Sequence, residues 1–137
     1  MSYSADDMFV LGNISAKAVV MGLVDGVLPI LRFIQAVRPE NAGAFLMEGM
    51  HLSSVAGAAV ALRYLEGSPV FTAETNRDEA IAFHLVLVQE SGNSAHALEL
   101  GETYLAENLL SSESAIHVVE RLVHDLRSTR PAQVARL

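Results

Sequence analysis

The sequence predicts an all-α protein of about seven helices, folded as stacked antiparallel helical hairpins of a degenerate tetratricopeptide-like kind. Three observations lead to this prediction. Apolar residues recur at helical spacing along most of the chain. Short clusters of Gly, Pro, Ser and Asn separate the periodic segments. The 137 residues, about half of them apolar, are the size of one ordinary domain with its own core. We place this domain at residues 1–128 and a C-terminal tail at residues 129–137.

The first half of the chain predicts four helices, at residues 5–21, 23–37, 42–54 and 57–65. The second is clearly amphipathic, because its apolar residues fall on one side at 100° per residue. Residues 38–41 (Arg-Pro-Glu-Asn) interrupt the helical pattern. Asn41 is a favourable residue type for capping the helix that follows. The fourth helix is short and rich in alanine.

The second half predicts three further helices, at residues 77–90, 95–108 and 113–126. A Gly-Ser-Pro sequence at 67–69 and a loop at 70–74 precede them, and the pattern Thr75-x-x-Asp78 resembles a capping box. Ser111 and Ser112 are expected to cap the last helix. An alternative remains open for residues 83–88, which could form a buried strand paired with 70–73, since short apolar runs are ambiguous by period alone.

Charge and composition exclude several classes of protein. The net charge is −7 and no run of basic residues exists, so binding to nucleic-acid phosphates is not expected. The chain has no Cys, which excludes disulfides and Cys-based metal sites. Its acidic first ten residues do not resemble an export signal. The most apolar stretch, 18–34, contains Asp25 and Arg32, which disfavour a membrane span. We therefore expect a cytoplasmic protein with no nucleic-acid or membrane partner.

Internal similarity favours helical hairpins. The tetratricopeptide unit consists of two antiparallel helices in about 34 residues, with small residues where the helices cross. Residues 22–39 resemble the second helix of such a unit. The pattern Phe45-x-x-Glu48-Gly49-x-x-Leu52 then lies where the first helix of the next tetratricopeptide unit would carry its signature residues. Leu100-Gly101-x-x-Tyr104 matches the same signature, so the hairpin register after Asn76 stays open.

The spacing and turn residues of 22–39, 65–69 and 89–92 together resemble those of small tetratricopeptide-type chaperones of bacterial type III secretion, above all the needle-subunit chaperones. The similarity covers roughly residues 16–108 and depends on hairpin spacing and turn residues. This resemblance implies a cytosolic protein that binds an amphipathic helix of an exported subunit in a concave groove. It also implies a further partner, either a second small chaperone or another copy of the chain.

In such a stack, the first helix of each hairpin lines the groove. Small and flexible apolar side chains suit the apolar face of a partner helix. Each of these positions could instead belong to the core, because most apolar helix residues are buried. Leu46 and Met50 are the strongest candidates, since their helix is apolar nearly all round. The predicted partner-binding residues are Ala16, Val19, Leu46, Met50, Ser53, Ala82, Val86 and Gln89.

No catalytic motif is evident, and we predict neither enzyme activity nor a cofactor. Glu48-x-x-His51 has the spacing of a di-iron ligand pair, but a second such pair is missing from the sequence. The stripe formed by His117, Glu120 and His124 is expected to face solvent. Two alternative functions remain open: a homo-oligomeric helical bundle that associates through the small residues at 56–61, and a metal-binding bundle enzyme that uses Glu48 and His51.

Overall fold

The computed structural model describes the backbone of residues 24–134 and the side chains of residues 26–129. Within these limits the chain forms six α-helices and one 3-10 helix. The predicted all-α fold class is confirmed. The helix predicted at residues 5–21 lies outside the described residues. The elements are α1 (Val24–Val37), α2 (Gly43–Ala56), α3 (Ala58–Glu66), the 3-10 helix (Pro69–Thr72), α4 (Arg77–Glu90), α5 (Ser94–Ala106) and α6 (Glu113–Val134).

The strand alternative for residues 83–88 is wrong, because these residues lie inside α4 and residues 70–72 belong to the 3-10 helix. The reason is that α4 is covered on several sides. Leu85 packs with residues of α5 and α6, whereas Leu87 packs with residues of α2 and α3. A helix that is buried on most of its circumference loses the polar stripe that normally reveals its period.

The helices stack as hairpins. Gly57 joins α2 to α3, and Gly92 lies in the turn between α4 and α5; both have φ of +95°, which side-chain-bearing residues rarely adopt. Helix α4 contacts α2, α3, the 3-10 helix, α5 and α6. Because α2 contacts α4 and α4 in turn contacts α6, these three are the successive first helices of the stack. This arrangement defines the register that the sequence left open.

The loops that precede α2 and α4 lie side by side. The Ala42 amide donates to the Thr75 carbonyl at 2.9 Å, and the Glu74 amide donates to the Glu40 carbonyl at 2.7 Å. The N-cap of α2 is Ala42 and not the predicted Asn41, which lies one residue earlier and whose Oδ1 accepts from the Gly43 amide at 2.8 Å. These bonds fix the starts of α2 and α4 next to each other.

The capping box predicted before α4 does not form. Asn76 precedes the helix in a left-handed conformation and provides no side-chain cap. Asp78 reaches instead to the start of α6, where its Oδ2 accepts from the Ser111 amide at 2.8 Å and from the Ser112 amide at 2.9 Å. The hydroxyl of Ser112, the predicted cap, lies 3.4 Å from the Ala115 amide. The carboxylate of one helix thus satisfies backbone donors at the start of another.

The environment of Asp78 favours its charged form. Burial alone would raise the pKa of this carboxyl group. The hydrogen bonds from Ser112 and Ser111, together with the nearby Arg77 guanidinium, outweigh burial and hold the pKa of Asp78 below its usual range. Asp78 therefore joins α4 to α6 as a carboxylate.

Helix α6 packs directly against Gly101 of α5. A Cβ added at Gly101 would lie 2.6 Å from Cγ2 of Val123, closer than packed atoms allow. At Gly49, the glycine that the repeat signature singled out, an added Cβ would make only ordinary contacts of 3.5 Å or more. A larger residue at position 101 would therefore clash with the neighbouring helix, whereas a Cβ at position 49 would be accommodated.

Helix α6 continues to Val134, past its predicted end at residue 126 and past the predicted start of the tail at residue 129. Two contacts support the first part of this extension. Arg127 donates to Glu102 of α5 at 2.9 Å, and the Ser128 hydroxyl donates to the His124 carbonyl at 2.9 Å. Among the described helices, none is long and apolar enough to cross a membrane.

Candidate protein-binding face

One side of α2 carries side chains that belong to none of the hydrophobic clusters formed by the described residues. Leu46, Met50 and Ser53 fall within about 60° of one another around the helix axis. The adjoining sides are used for packing: Ala44 and Met47 belong to the cluster shared with α1, whereas Phe45 and Leu52 pack with residues of α3. Met50 remains 42% exposed, an unusual state for a large apolar side chain at the middle of a helix.

Helix α4 has a matching side that the other described helices cover only in part. Val86 lies between Glu79 and Glu90, and the three fall within about 40° around the axis. Phe83 adjoins them toward α2, where a Cβ added at Gly49 would lie 3.6 Å from the ring. The side chains of Phe83 and Val86 are each half-buried. These sides of α2 and α4 therefore meet along the contact between the two helices.

We call this surface the open face, and define it by Leu46, Met50, Ser53, Phe83, Val86 and Gln89. It lies on the side of α2 and α4 that faces away from α3, except that Phe83, at its edge, also packs against the cluster shared with α3. Helix α3 covers the opposite side of both helices, through a cluster that joins Ala61 and Leu65 to Ala80 and Leu87. The first helices of the stack thus carry the open face, as the tetratricopeptide-like register predicts.

The predicted partner-binding residues fall into three groups. Leu46, Met50, Ser53, Val86 and Gln89 are each at least partly exposed on the open face. Ala82 is only 6% exposed and packs in the core with residues of α6, so its predicted contact with a partner is wrong. Ala16 and Val19 lie outside the described residues. Sequence analysis missed Phe83, although its spacing from Glu79, Val86 and Glu90 marks the same stripe.

Glu48, the proposed metal ligand, belongs to a polar cluster between α1, α2 and α3. Its carboxylate is 6% exposed and accepts from Nε2 of Gln35 at 3.0 Å. Nη2 of Arg32 lies 3.8 Å from the same carboxylate, and Nε2 of Gln35 also donates to the Tyr64 hydroxyl at 3.2 Å. Each of these partners satisfies a buried charge that would otherwise be costly.

Tyr64 shows the effect of this cluster. Burial of its side chain, followed by the neighbouring negative charge of Glu48, raises the pKa of the Tyr64 hydroxyl well above its usual range. The hydroxyl therefore stays protonated at neutral pH. His51 is half-buried on the same helix as Glu48. Within residues 26–129, the structure brings together no group of three or more His, Asp or Glu side chains that could hold a metal ion.

Two other polar sites lie outside this cluster. His84 is buried in α4, where its Nε2 lies 3.2 Å from the Glu66 carboxylate and its ring meets Phe71 edge-on at 4.9 Å. Its Nδ1 has no hydrogen-bond partner among the described residues. His117, Glu120 and His124 are exposed on α6, as expected. Neither arrangement contains a nucleophile next to a base.

A cavity of about 250 Å³ lies between the end of α5 and the first turns of α6. Burial raises the pKa of Tyr104, one of its lining residues. Sequence analysis did not single out this cavity, because no motif marks the residues that form it. The lining residues are Tyr104, Leu105, Asn108, Leu110, Ile116 and Glu120.

These features describe a stack of helical hairpins with one partly apolar face that the described residues cover only in part. Comparison of the chain with protein families, with curated proteins and with solved structures finds no match.

Proposed function

We propose that this protein is a cytoplasmic chaperone or adaptor that binds an amphipathic helix of a partner protein on the open face. The observation that carries this proposal is the partial exposure of Leu46, Met50, Phe83 and Val86 on two first helices that contact each other. A partner helix with an apolar stripe would cover these side chains, and each would contribute about 1–2 kcal/mol on burial. The protein would act by binding and not by catalysis.

The resemblance to type III secretion chaperones supplies the class of partner. On that basis the bound helix belongs to a small exported subunit of the secretion apparatus, which the chaperone keeps from associating prematurely. The stacked hairpins and the position of the open face on the first helices are consistent with this proposal.

The test is co-purification of the tagged, full-length protein from its source cells, with one small helical secretion subunit identified by mass spectrometry. Met50→Glu should abolish its recovery, because a charge at the centre of the face cannot be desolvated without cost. Leu109→Glu is the matched control, since Leu109 is 44% exposed in the turn between α5 and α6. Equal recovery with both variants would contradict the proposal, as would the absence of any such subunit with the unmodified protein.

A second candidate function is self-association through the turn between α2 and α3. Residues 52–62 contain no charged side chain, and Val55 is 66% exposed at this turn. Ala56, Gly57 and Ala59 are exposed beside it. In this case the chain alone would form a stable dimer in sedimentation equilibrium, and Val55→Glu would convert it to a monomer.

A further inference from the structure

The charges around the open face limit which helix could bind there. Helix α2 contains no Lys or Arg, and the one cation of α4 is Arg77. Its guanidinium is used elsewhere: Nε donates to the Phe71 carbonyl at 3.0 Å, and Nη1 lies 3.2 Å from Asp78. Neither helix therefore contributes a free cation to the open face.

Two carboxylates lie at opposite ends of the α4 part of this face. Glu79 is half-buried near the start of the helix, and Glu90 is exposed at its last residue. Eleven residues separate them, which corresponds to about 17 Å along the helix axis. Phe83 and Val86 lie between them, so an apolar stretch is bounded by negative charge at both ends.

From this geometry we infer that the partner helix is basic at both ends of its apolar stripe, with Lys or Arg residues about eleven positions apart on the same side. This inference rests on the proposed function, and it adds the charge pattern of the partner. A helix packed along α2 and α4 would place its apolar residues against Leu46, Met50 and Val86. Its two cations would then reach Glu79 and Glu90, whereas carboxylates at those positions would be repelled.

The contribution of such pairs is modest but measurable. Each partly exposed ion pair contributes little to the free energy of binding. A partner helix with carboxylates in place of the cations would lose a similar amount through repulsion. With both Glu79 and Glu90 contributing, the Kd of a lysine-flanked helix should be about tenfold lower than that of a glutamate-flanked helix at low salt. The difference should shrink at high ionic strength, because salt screens exposed charges.

The experiment uses the full-length protein and two synthetic, fluorescein-labelled peptides of about 18 residues. They share a leucine stripe on an alanine background, and one carries two flanking lysines where the other carries two glutamates. Fluorescence anisotropy should give about tenfold tighter binding for the lysine peptide. The Glu79→Gln/Glu90→Gln double variant should remove this preference. Glutamine at position 79 can still accept from the Ser112 hydroxyl, which lies 2.8 Å from Oε1 of Glu79.

The matched control is Glu99→Gln/Glu107→Gln, which makes the same change in net charge at exposed positions on and just after α5. This control should keep the preference. If both peptides bind equally and Met50→Glu abolishes both, the charge inference is wrong and the proposed function stands. If neither peptide binds, the proposed function itself fails. If the unmodified protein dimerises and Met50→Glu prevents this, a second copy occupies the face and the inference is overturned.

Discussion

Removing the Asp78 carboxylate should be among the most destabilising single changes available in this fold. Asp78→Ala leaves the amides of Ser111 and Ser112 without the acceptor that now lies within 2.9 Å of each. A buried donor left unsatisfied costs about 1–3 kcal/mol, and water can reach part of this site because Ser111 is exposed. We expect a loss of about 3 kcal/mol. Asp78→Asn keeps an acceptor oxygen but loses the charge, and should cost about 1 kcal/mol.

The assay is urea unfolding followed by far-ultraviolet circular dichroism, with the stability change taken from the midpoint at unchanged slope. The pKa of Asp78 is lowered in the folded state, so its charge stabilises the fold above its unfolded pKa of about 3.9. That stabilisation is lost as the pH falls through the lower, folded pKa. The advantage of the unmodified protein over Asp78→Asn should therefore be complete at pH 7 and should shrink below about pH 4.

The exposed substitution Glu99→Gln serves as control and should change stability by less than about 0.5 kcal/mol. The reasoning would be refuted if Asp78→Ala cost less than about 1 kcal/mol. A difference between the unmodified protein and Asp78→Asn that stayed constant down to pH 3 would refute it as well.

Three further predictions concern packing and the open face. Gly101→Ala should destabilise the protein by about 1–3 kcal/mol in urea unfolding, because its Cβ would meet Val123 at 2.6 Å, and Val123→Ala should relieve much of the loss. Spectrophotometric titration at alkaline pH should show Tyr64 ionising well above the ordinary tyrosine pKa, and Glu48→Gln should bring that pKa closer to normal. Met50→Glu should leave the unfolding midpoint nearly unchanged, since Met50 is 42% exposed; a large loss of stability would mean that Met50 belongs to the core.

The sequence predicted helix positions well where the turn signals were strong. The bounds of α4 were predicted as Arg77–Glu90, because turn-forming residues flank the segment on both sides. The helix predicted at residues 23–37 agrees with α1 throughout its described residues and ends at the same residue, Val37. The end of α6 was misplaced, since its final turns depend partly on Arg127 reaching Glu102 in a neighbouring helix.

The candidate site could be predicted only in part. Ala82 and Val86 are one helical turn apart and are equivalent by pattern, but α6 packs over Ala82 and leaves Val86 partly exposed. The partners of Asp78 lie 33 and 34 residues away in the chain, so local capping rules assigned it to the wrong helix. Helical periodicity locates a stripe, but the packing of neighbouring helices decides which stripes are covered.

The central position of α4 has a consequence for how the stack opens. Repeat arrays in which each unit contacts only its neighbours can unfold unit by unit. Here Leu85 and Leu87, two residues apart, belong to two different core clusters. Opening either cluster therefore disturbs the other, and the amide protons of both residues should exchange with solvent only when the two clusters open together. We therefore expect the hairpins that share α4 to unfold as one cooperative unit.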